Sequence, residues 1–585
     1  MKRHRKNTNE ADAAAATAVA RISSPIAVGE RQRIGDLLLS QNLVDPTQLS
    51  AALNLQRASG RQLGAILVEQ GLLDPRVLTQ ALAAQLGLPT IDLRQERPTA
   101  EAMALVPEAV ARRLMLVPMR LIDGVLDVAV ADGADPAVAE QLAQLPVTEV
   151  KMYLAPSRDV QFALDSHYRV LVGVDEETER LWAEATQRDD PRSELIGAQD
   201  APVIQLVNRI VAQAVRDRAS DIHLEPTDGR IRVRYRVDGA LHEVLSLPIA
   251  AGPELVSRIK IMAEMDIVER RRPQDGQFNL EVDGAGIDVR VATAATIWGE
   301  TAVLRILDKS RSLKRMSDLG MPAATYERYL TIAHRPFGML ICSGPTGSGK
   351  TTTLYATLAE LDRAELNVMT IEDPVEYVYP SANQMQINLQ ADVTFAAGLR
   401  SILRQDPDVI LVGEMRDLET ASIAVQAALT GHLVLSSLHA TDASSALFRL
   451  LDMGVEPFLV ASSVVGIVGQ RLVRRVCEAC AGPYSPTVTE LIAYERLGGQ
   501  STDAFMSGSG CNFCLGTGYR GRVGVYELLE VTEEVSQRLV SGATPHELRH
   551  YARAQGMPTM GTEAMALVAN GVTTIDEVIR SVYLS

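Results

Sequence analysis

The stretch that decides the fold is Gly344-Pro345-Thr346-Gly347-Ser348-Gly349-Lys350-Thr351, which satisfies the pattern G-x-x-x-x-G-K-T. The apolar run Met339–Cys342 before it predicts a strand, and the residues from Thr352 onward predict a helix. A glycine-rich loop in this position turns backbone N–H groups towards phosphates, and the helix N-terminus adds a favourable dipole. The sequence therefore predicts a nucleotide site in which Lys350 contacts the β- and γ-phosphates, Thr351 holds Mg²⁺, and the rest of the loop with Thr352 surrounds the phosphates.

Acidic side chains follow two further apolar runs. The strand-like run Asp408–Gly413 is followed by Glu414, and an earlier run ends at Glu372 and Asp373. Nucleotide-binding folds of this type place the acidic partner of the metal or of the attacking water at such strand ends. Glu414 is the predicted general base, and Glu372 and Asp373 are predicted to orient water or Mg²⁺. A solvated acidic turn is the competing interpretation of the earlier pair.

The remaining apolar patterns predict an α/β multidomain chain. Strand-like runs alternate with amphipathic helices over residues 318–585, which indicates a parallel sheet around the nucleotide site. Residues 200–310 predict a small α+β domain. In one of its strands Arg232, Arg234 and Arg236 alternate with apolar residues, so the three guanidinium groups share one face of the sheet.

Composition and charge limit the class of protein. The chain has 585 residues, of which 46% are hydrophobic and 22% charged, and its net charge is −16. This composition is typical of globular proteins, and the acidic balance disfavours DNA binding through bulk electrostatics. No apolar run reaches the about 18 residues of a membrane-spanning helix. Residues 1–32 predict a disordered tail, and the charge-rich residues 171–199 predict a linker.

Four of the five cysteines form two Cys-x-x-Cys pairs, Cys477 with Cys480 and Cys511 with Cys514. Paired knuckles of this kind favour a tetrahedral zinc site with four thiolate ligands. Because no open coordination position is indicated, the zinc is expected to be structural. Two free or redox-active pairs are the alternative. The zinc-binding insertion is predicted at about residues 474–522, followed by a helical C-terminal part.

The predicted N-terminal domain, residues 33–170, begins with a tandem repeat over residues 33–88. The clearest matches are Arg33-Ile34-Gly35 with Gln62-Leu63-Gly64 and Asp45-Pro46 with Asp74-Pro75, an offset of 29 residues in each case. Apolar residues at helical spacing predict a helix pair in each unit. Strand and helix signals alternate in the rest of the domain and indicate an α/β part.

Together these motifs resemble the ATPases of type II secretion and type IV pilus assembly, from about Arg33 to Tyr583. The matching segments, besides the phosphate loop, are the acidic box Ile371–Tyr377, the pair Gly413-Glu414 and the histidine box Thr430–Asp442. The resemblance implies a RecA-like core behind a PAS-like small domain, ATP and Mg²⁺ as cofactors, and a homo-hexameric ring. It also implies that His439 senses the γ-phosphate side and that His432 supports it.

The resemblance implies a role for the arginines of the small domain as well. Arg232, Arg234 and Arg236 match arginines that reach towards bound nucleotide, so some of them are expected to stabilise charge as arginine fingers do. A solvated strand face is the alternative. Arg400 and Arg404, which share one helix face at a spacing of four residues, are weaker candidates for the same role.

The tandem repeat resembles the N-terminal domain of a pilus-ATPase subgroup that binds cyclic di-GMP. That domain has two 24-residue units separated by five residues, which residues 33–56 and 62–85 fit. Two departures concern the ligand: Asn42 replaces a glycine of the first unit, and Gln62 replaces the arginine that opens the second, so one charged partner is lost. A helical module that docks on an inner-membrane partner is the competing interpretation.

The predicted function is that of a cytoplasmic hexameric motor ATPase that drives pseudopilus assembly and protein export in type II secretion. Inner-membrane platform proteins are expected to dock on the N-terminal domain and the zinc insertion and to hold the motor at the membrane. The segments Leu304–Lys309, Tyr519–Arg522 and Tyr526–Leu529 favour the secretion branch. The alternatives are a type IV pilus extension ATPase regulated by cyclic di-GMP and, less favoured, a DNA translocase with the same core. A nucleotide-binding sensor or scaffold that does not hydrolyse ATP is a further alternative, and the predicted general base Glu414 argues against it.

Overall fold

The computed structural model describes residues 21–22, 33–167, 202–308, 314–361, 365–502 and 504–583. The chain divides into two compact units, Met1–Val172 with Cys511–Gly516 and Gly173–Gly510 with Thr517–Ser585. The predicted linker 171–199, and the predicted tail 1–32 apart from Arg21 and Ile22, lie outside the described residues. Among the helices of the described ranges, none combines the length and the hydropathy that a bilayer crossing requires.

The first unit contains the predicted tandem helical repeat. Its elements are a short strand β1 (Arg21–Ile22) and the helices α1 (Ile34–Ser40), α2 (Pro46–Ser59), α3 (Leu63–Glu69) and α4 (Pro75–Leu86). Asp45 caps α2 and Asp74 caps α4, because each carboxylate accepts N–H groups left unpaired in the first turn. Gly35 and Gly64 lie against leucine side chains, where a Cβ would approach the methyl groups to 3.4 and 2.8 Å, respectively.

Asn42 and Gly71 occupy the same place in the two units of the repeat, just after α1 and α3. Both have left-handed backbone conformations, with φ of 53° and 68°. Asparagine enters this region more readily than most residues with a side chain. The replacement of glycine by Asn42 therefore keeps the backbone path that the repeat requires.

The rest of the first unit is an α/β layer. It consists of α5 (Ala100–Ala104), α6 (Glu108–Leu114), β2 (Leu116–Ile122), β3 (Val125–Val130), α7 (Pro136–Ala143), β4 (Glu149–Leu154) and α8 (Ser157–His167). The strand order is β1-β4-β3-β2, with β3 parallel to β4 and antiparallel to β2. Asn512, which belongs to this unit, donates from Nδ2 to the carbonyl of Glu96 and accepts from Arg97 Nε at 2.6 Å.

The second unit opens with the small α+β domain. Its elements are α9 (Pro202–Arg216), β5 (Asp221–Thr227), β6 (Arg230–Val237), β7 (Ala240–Pro248), α10 (Gly252–Met262), β8 (Gln274–Val282), β9 (Ala285–Thr296) and β10 (Gly299–Asp308). The six strands are antiparallel in the order β7-β6-β5-β10-β9-β8. The buried Tyr235 hydroxyl donates to the Ile210 carbonyl at 2.6 Å and thereby fixes α9 to the sheet.

The nucleotide-binding core follows. Its first elements are α11 (Ala323–Ala333), β11 (Gly338–Ser343), α12 (Lys350–Leu361), β12 (Val368–Glu372), β13 (Asn383–Gln386), α13 (Phe395–Ile402), β14 (Val409–Val412), α14 (Leu418–Leu429), β15 (Leu433–Leu438), α15 (Ala443–Asp452), α16 (Pro457–Ser463) and β16 (Val464–Val476). Every residue of β11, β12, β14 and β15 is buried. Such continuous burial is typical of parallel strands that are covered on both faces by helices.

The C-terminal part adds the insertion and a set of short helices. Its elements are β17 (Ala481–Tyr484), α17 (Val488–Arg496), β18 (Phe505–Gly508), β19 (Tyr519–Glu530), α18 (Glu533–Val540), α19 (Pro545–Ala554), α20 (Met560–Ala569) and α21 (Ile575–Val578). The seven-stranded sheet has the order β13-β12-β14-β15-β11-β16-β19. Its neighbours are parallel except for β16 and β19. The predicted α/β core around a parallel sheet is confirmed.

Candidate active site

The phosphate loop connects the buried strand β11 to α12, as the sequence predicts. Gly347 and Gly349 have φ of 77° and 89°, a left-handed region that glycine adopts without steric cost. The helix begins at Lys350, earlier than the predicted start at Thr352. Lys350 and Thr351 therefore lie in the first turn, where unpaired N–H groups and the helix dipole favour a bound anion.

Gln470 of β16 packs against the phosphate loop. A Cβ on Gly344 would lie 2.6 Å from the Gln470 carbonyl oxygen, and a Cβ on Gly349 would lie 2.8 Å from its Nε2. The Gln470 Oε1 in turn accepts a hydrogen bond from Thr353 Oγ1 at 2.8 Å. No side chain fits at either glycine without displacing Gln470, so these contacts fix the loop on the sheet.

A cavity of about 360 Å³ opens at the phosphate loop. The predicted site residues that line it are Thr346, Gly347, Gly349, Lys350, Thr351, Thr352, Glu372, Asp373, Glu414 and His439. The predicted residues Gly344, Pro345 and Ser348 belong to the loop but not to this lining. The Ser348 hydroxyl is buried and has no hydrogen-bond partner among the described residues. Since buried polar atoms are nearly always paired, this orphan fits a loop that is built to receive phosphate oxygens.

Backbone carbonyl groups of the phosphate loop hold the side chain of Lys350. Its Nζ donates to the carbonyl oxygens of Gly344 at 2.8 Å and Pro345 at 3.0 Å. Burial lowers the pKa of Lys350, and the negative charge of Glu414 partly opposes this effect. A partly desolvated ammonium group with only weak neutral partners gains strongly from a phosphate.

Glu414 follows β14 and points into the cavity with its side chain 15% exposed. Its Oε2 lies 3.3 Å from His439 Nε2, and its Oε1 pairs with Arg416. The two predicted residues Glu414 and His439 are therefore adjacent, which their separation in sequence does not show. A carboxylate between two basic groups is oriented and remains available to a water molecule in the cavity.

Gly413 stands where many phosphate-loop enzymes carry aspartate. A Cβ at this position would lie 3.3 Å from the Ile371 carbonyl oxygen and 3.4 Å from the Glu372 Cα. The Gly413 N–H also donates to the Ile371 carbonyl at 2.8 Å. The close approach of the chain after β14 to the end of β12 leaves little room for a side chain at this position.

Glu372 is enclosed by its neighbours and only 3% exposed. Its Oε2 accepts from the Tyr355 hydroxyl at 2.6 Å, and its Oε1 accepts from Thr370 Oγ1 at 2.6 Å. Burial, together with the carboxylate of Glu372, raises the pKa of Tyr355. These contacts hold Glu372 in one orientation, whereas Asp373 lines the cavity without such an enclosure. The predicted water- or Mg²⁺-orienting role of both residues stays a prediction.

The sequence pointed to Glu376 only as a member of the acidic cluster whose carboxylates could orient water or Mg²⁺, and it did not indicate Arg290, Arg305 or Arg522 as site residues. Glu376 lines the cavity, and burial raises its pKa, while the charges of Arg305 and Arg290 and a hydrogen bond from Thr351 oppose the rise. The small domain therefore supplies positive charge to this carboxylate from β9 and β10. Arg522 of β19 also lines the cavity. Glu376 lies within the acidic box, but the three arginines carry no local motif that points to the loop.

The arginines that were predicted on β6 have other partners. Arg232 and Arg234 both pair with Glu225, and Arg236 Nε lies 3.5 Å from Asp221 Oδ2. Within the described part of the chain, none of these three arginines lines the cavity. The strand register confirms that the three arginines share one face of the sheet, because they lie opposite every second residue of β5. Their catalytic role stays a prediction.

The weaker candidates also lie outside the cavity lining of the described residues. Arg400 pairs with Glu419 at 2.6 Å, and Arg404 donates to the Arg400 carbonyl at 2.9 Å. His432 precedes β15, and its Nδ1 lies 2.9 Å from the Ala427 carbonyl oxygen at the end of α14. It stands at the opposite end of β15 from His439, so any support that it gives to His439 passes through the strand.

The four paired cysteines are brought together as predicted. The Sγ atoms of Cys477, Cys480, Cys511 and Cys514 all lie within 4.8 Å of one another, and none of these residues forms a disulfide. The Sγ atoms of Cys511 and Cys514 are 3.8 Å apart. A tetrahedral zinc ion with Zn–S bonds of about 2.3 Å requires S···S separations of about 3.8 Å. The cluster therefore fits zinc.

Two family models match the chain. The model described as "Type II/IV secretion system protein" matches residues 197–580. The model of the MshEN domain matches residues 86–173. The second match covers the α/β part of the first unit, whereas the tandem repeat 33–85 precedes it.

Three curated relatives are similar over most of their own length. The type II secretion system protein HxcR of Pseudomonas aeruginosa is 49% identical over 66% of this chain and 79% of its own. The type IV pilus assembly ATPase PilB of Myxococcus xanthus is 38% identical over 94% of this chain and 98% of its own. The type II secretion system protein E of Xanthomonas campestris is 39% identical over the same shares, 94% and 98%.

The pKa of Glu376 gives a testable pH dependence. Replacing Arg305 by alanine removes a charge that opposes the effect of burial, so the pKa of Glu376 rises further. If the ionised carboxylate beside Thr351 is needed for hydrolysis of ATP, the acidic limb of the pH profile of kcat/KM moves to higher pH.

Arg230→Ala is the matched control, because Arg230 is an arginine of the same small domain and pairs with Glu243. Arg230 is not among the charges that act on Glu376. An acidic limb that stays in place in Arg305→Ala, or moves equally in both variants, would contradict the assignment.

Proposed function

Because the chain belongs to the type II/IV secretion system protein family, we propose that it is a cytoplasmic motor that drives pseudopilus assembly and protein export in type II secretion. It is a P-loop ATPase, in agreement with the sequence-based prediction. The observation that carries the proposal is the cavity in which Lys350, Thr351 and Glu414 meet. Type II secretion is favoured because two of the three relatives described above are type II secretion proteins, one of them over nearly the full chain.

We assign the main cavity residues roles in hydrolysis that their contacts support. Lys350 and the N–H groups of the loop neutralise the phosphates, and Thr351 with Glu376 would hold Mg²⁺, which shields the charge of the phosphates. Glu414 orients the attacking water and takes up its proton. His439, beside the same carboxylate, responds to the γ-phosphate.

The mechanical step is a movement of the small domain against the core. Arg290 and Arg305 lie on β9 and β10 and act electrostatically on Glu376, which lines the cavity. Loss of the γ-phosphate weakens the attraction between these arginines and the site, so the small domain shifts with each turnover. In a homo-hexameric ring, Arg232, Arg234 and Arg236 would act on the nucleotide of the neighbouring subunit. Platform proteins at the inner membrane would bind the first unit and the zinc insertion.

Replacing Lys350 by alanine in the source organism tests the motor and its pathway. The ammonium group that contacts the phosphates is lost, so ATP turnover should fall by about 10²-fold or more. Enzymes that are normally secreted should then accumulate inside the cell while surface pili persist. Both are measured in the same cultures.

The matched control is Lys314→Ala, which removes an exposed lysine outside the phosphate loop, the first unit and the zinc insertion. It should leave secretion and pili unchanged. Loss of pili with continued secretion in Lys350→Ala would instead identify a pilus extension ATPase.

Zinc in the four-cysteine cluster is a second part of the proposal. Thiolates at these separations fit a structural ion that closes the loop between the two knuckles. We expect about one zinc per chain in protein purified without chelator, and none in the variant Cys511→Ser. Because metal-binding free energy is also folding free energy, the variant should unfold at a lower temperature. Cys342→Ser is the control, since Cys342 is a buried cysteine outside the cluster. Metal-free wild-type protein would refute the site.

Regulation by cyclic di-GMP is a second candidate property, and the conformation of Asn42 favours it. The first departure from the binding pattern, asparagine in place of glycine at Asn42, does not change the backbone, since Asn42 keeps the left-handed conformation. The second departure remains: Gln62 stands before α3 with backbone angles close to those of Arg33 before α1, φ of −67° against −64°. The repeat therefore offers one arginine where the pattern has two.

Calorimetry with cyclic di-GMP separates the two interpretations of the repeat. The variant Gln62→Arg restores a charge-assisted contact and should bind about tenfold more tightly than the wild type. Asn42→Gly should bind like the wild type. Absence of heat from the wild type and from Gln62→Arg would leave docking to a membrane partner as the function of residues 33–85.

A further inference from the structure

Arg522 is a cation of the nucleotide cavity that comes from neither the phosphate loop nor the small domain. It lies on β19, which pairs with β16, the strand that carries Gln470 against the loop. The side chain is 40% exposed, so its guanidinium group remains accessible from the cavity. An anion bound at the phosphate loop therefore shares the cavity with Arg522.

Asp238 of the small domain is a second partner for this arginine. Its Oδ1 lies 3.7 Å from Arg522 Nε, and its Oδ2 accepts a hydrogen bond from the Gly521 N–H at 2.7 Å. One carboxylate thus contacts both the side chain of Arg522 and the backbone beside it. This contact joins the small domain to the strand that borders the cavity.

The position of Asp238 is set by a tight turn. Asp238 and Gly239 connect β6 to β7 with φ of 48° and 85°, which is the pattern of a type I′ hairpin turn. Arg236 braces the same turn by donating to the Gly239 carbonyl at 3.1 Å. The carboxylate is therefore held at the end of a braced hairpin of the small domain.

We propose that Asp238 is a positioning residue that competes with the phosphates of ATP for Arg522, so that nucleotide binding weakens the contact between the small domain and β19. A triphosphate carries several charges and accepts charge-assisted hydrogen bonds, whereas the pair with Asp238 is partly exposed and correspondingly weak. The coupling is reciprocal: a small domain that holds Arg522 lowers the affinity for ATP, and ATP loosens the small domain. The inference depends on nucleotide binding alone and is independent of the secretion pathway.

The variant Asp238→Asn tests the competition in the full-length protein. Asn-Gly suits a type I′ turn, and the amide oxygen can still accept the Gly521 N–H, so only the charge is lost. Calorimetry with adenylyl imidodiphosphate and Mg²⁺ should show about two- to fivefold tighter binding, the range of a partly exposed ion pair. In steady-state kinetics the KM for ATP should fall while kcat does not rise.

Asp283→Asn is the matched control within the same domain. Asp283 and Gly284 form the corresponding turn between β8 and β9, with φ of 51° and 81°, and Asp283 pairs with Arg216 at 3.0 Å. This turn has the same chemistry, but its carboxylate pairs with Arg216, which is not among the described residues that line the cavity. Affinity for the ATP analogue should be unchanged in Asp283→Asn.

A double-mutant cycle assigns the effect to Arg522. Arg522→Gln alone should weaken binding of the analogue, and adding Asp238→Asn to it should change nothing further, because no cation is left to compete for. Two results would overturn the proposal: unchanged or weaker binding in Asp238→Asn, or the same tightening when Arg522 is already glutamine.

Discussion

Close packing of two glycines against one glutamine fixes the phosphate loop, and the rest of the active site depends on this contact. Gly344 and Gly349 touch the backbone and the side chain of Gln470, and Gln470 also accepts from Thr353 on the helix that follows the loop. Loop, helix and β16 therefore form one rigid body. Because β16 pairs with β19, the same body carries Arg522 to the cavity.

Three glutamates around this body differ in their surroundings, and the differences divide their roles. Glu372 is enclosed by hydrogen-bond donors that hold its carboxylate in one orientation. Glu376 has a pKa raised by burial and opposed by cations of the small domain, so its charge depends on where that domain lies. Glu414 pairs with His439 and Arg416 at the cavity. Environment, more than residue type, distinguishes such carboxylates.

Local patterns were sufficient to predict the phosphate loop, the parallel core, the tandem repeat and the cysteine cluster, since each depends on spacing along the chain. They were not sufficient for Arg290, Arg305 and Arg522. These arginines reach the site only because antiparallel pairing and the fold of the small domain bring distant strands to it, and no periodicity records that. The predicted start of α12 at Thr352 was wrong. The helix begins at Lys350, because the glycine-rich loop hides the residue pattern of the first helical turn.

The arginines of β6 are the candidates for a contact between subunits in the proposed ring. Arg232 and Arg234 share the single carboxylate of Glu225, and each keeps a buried Nε without a partner among the described residues. Two cations on one anion leave an excess of positive charge on this face of the sheet. Arg290 and Arg305 act on Glu376 of their own site. In the proposed homo-hexameric ring each subunit would border the site of its neighbour, and the excess charge on β6 would then be available to a second nucleotide.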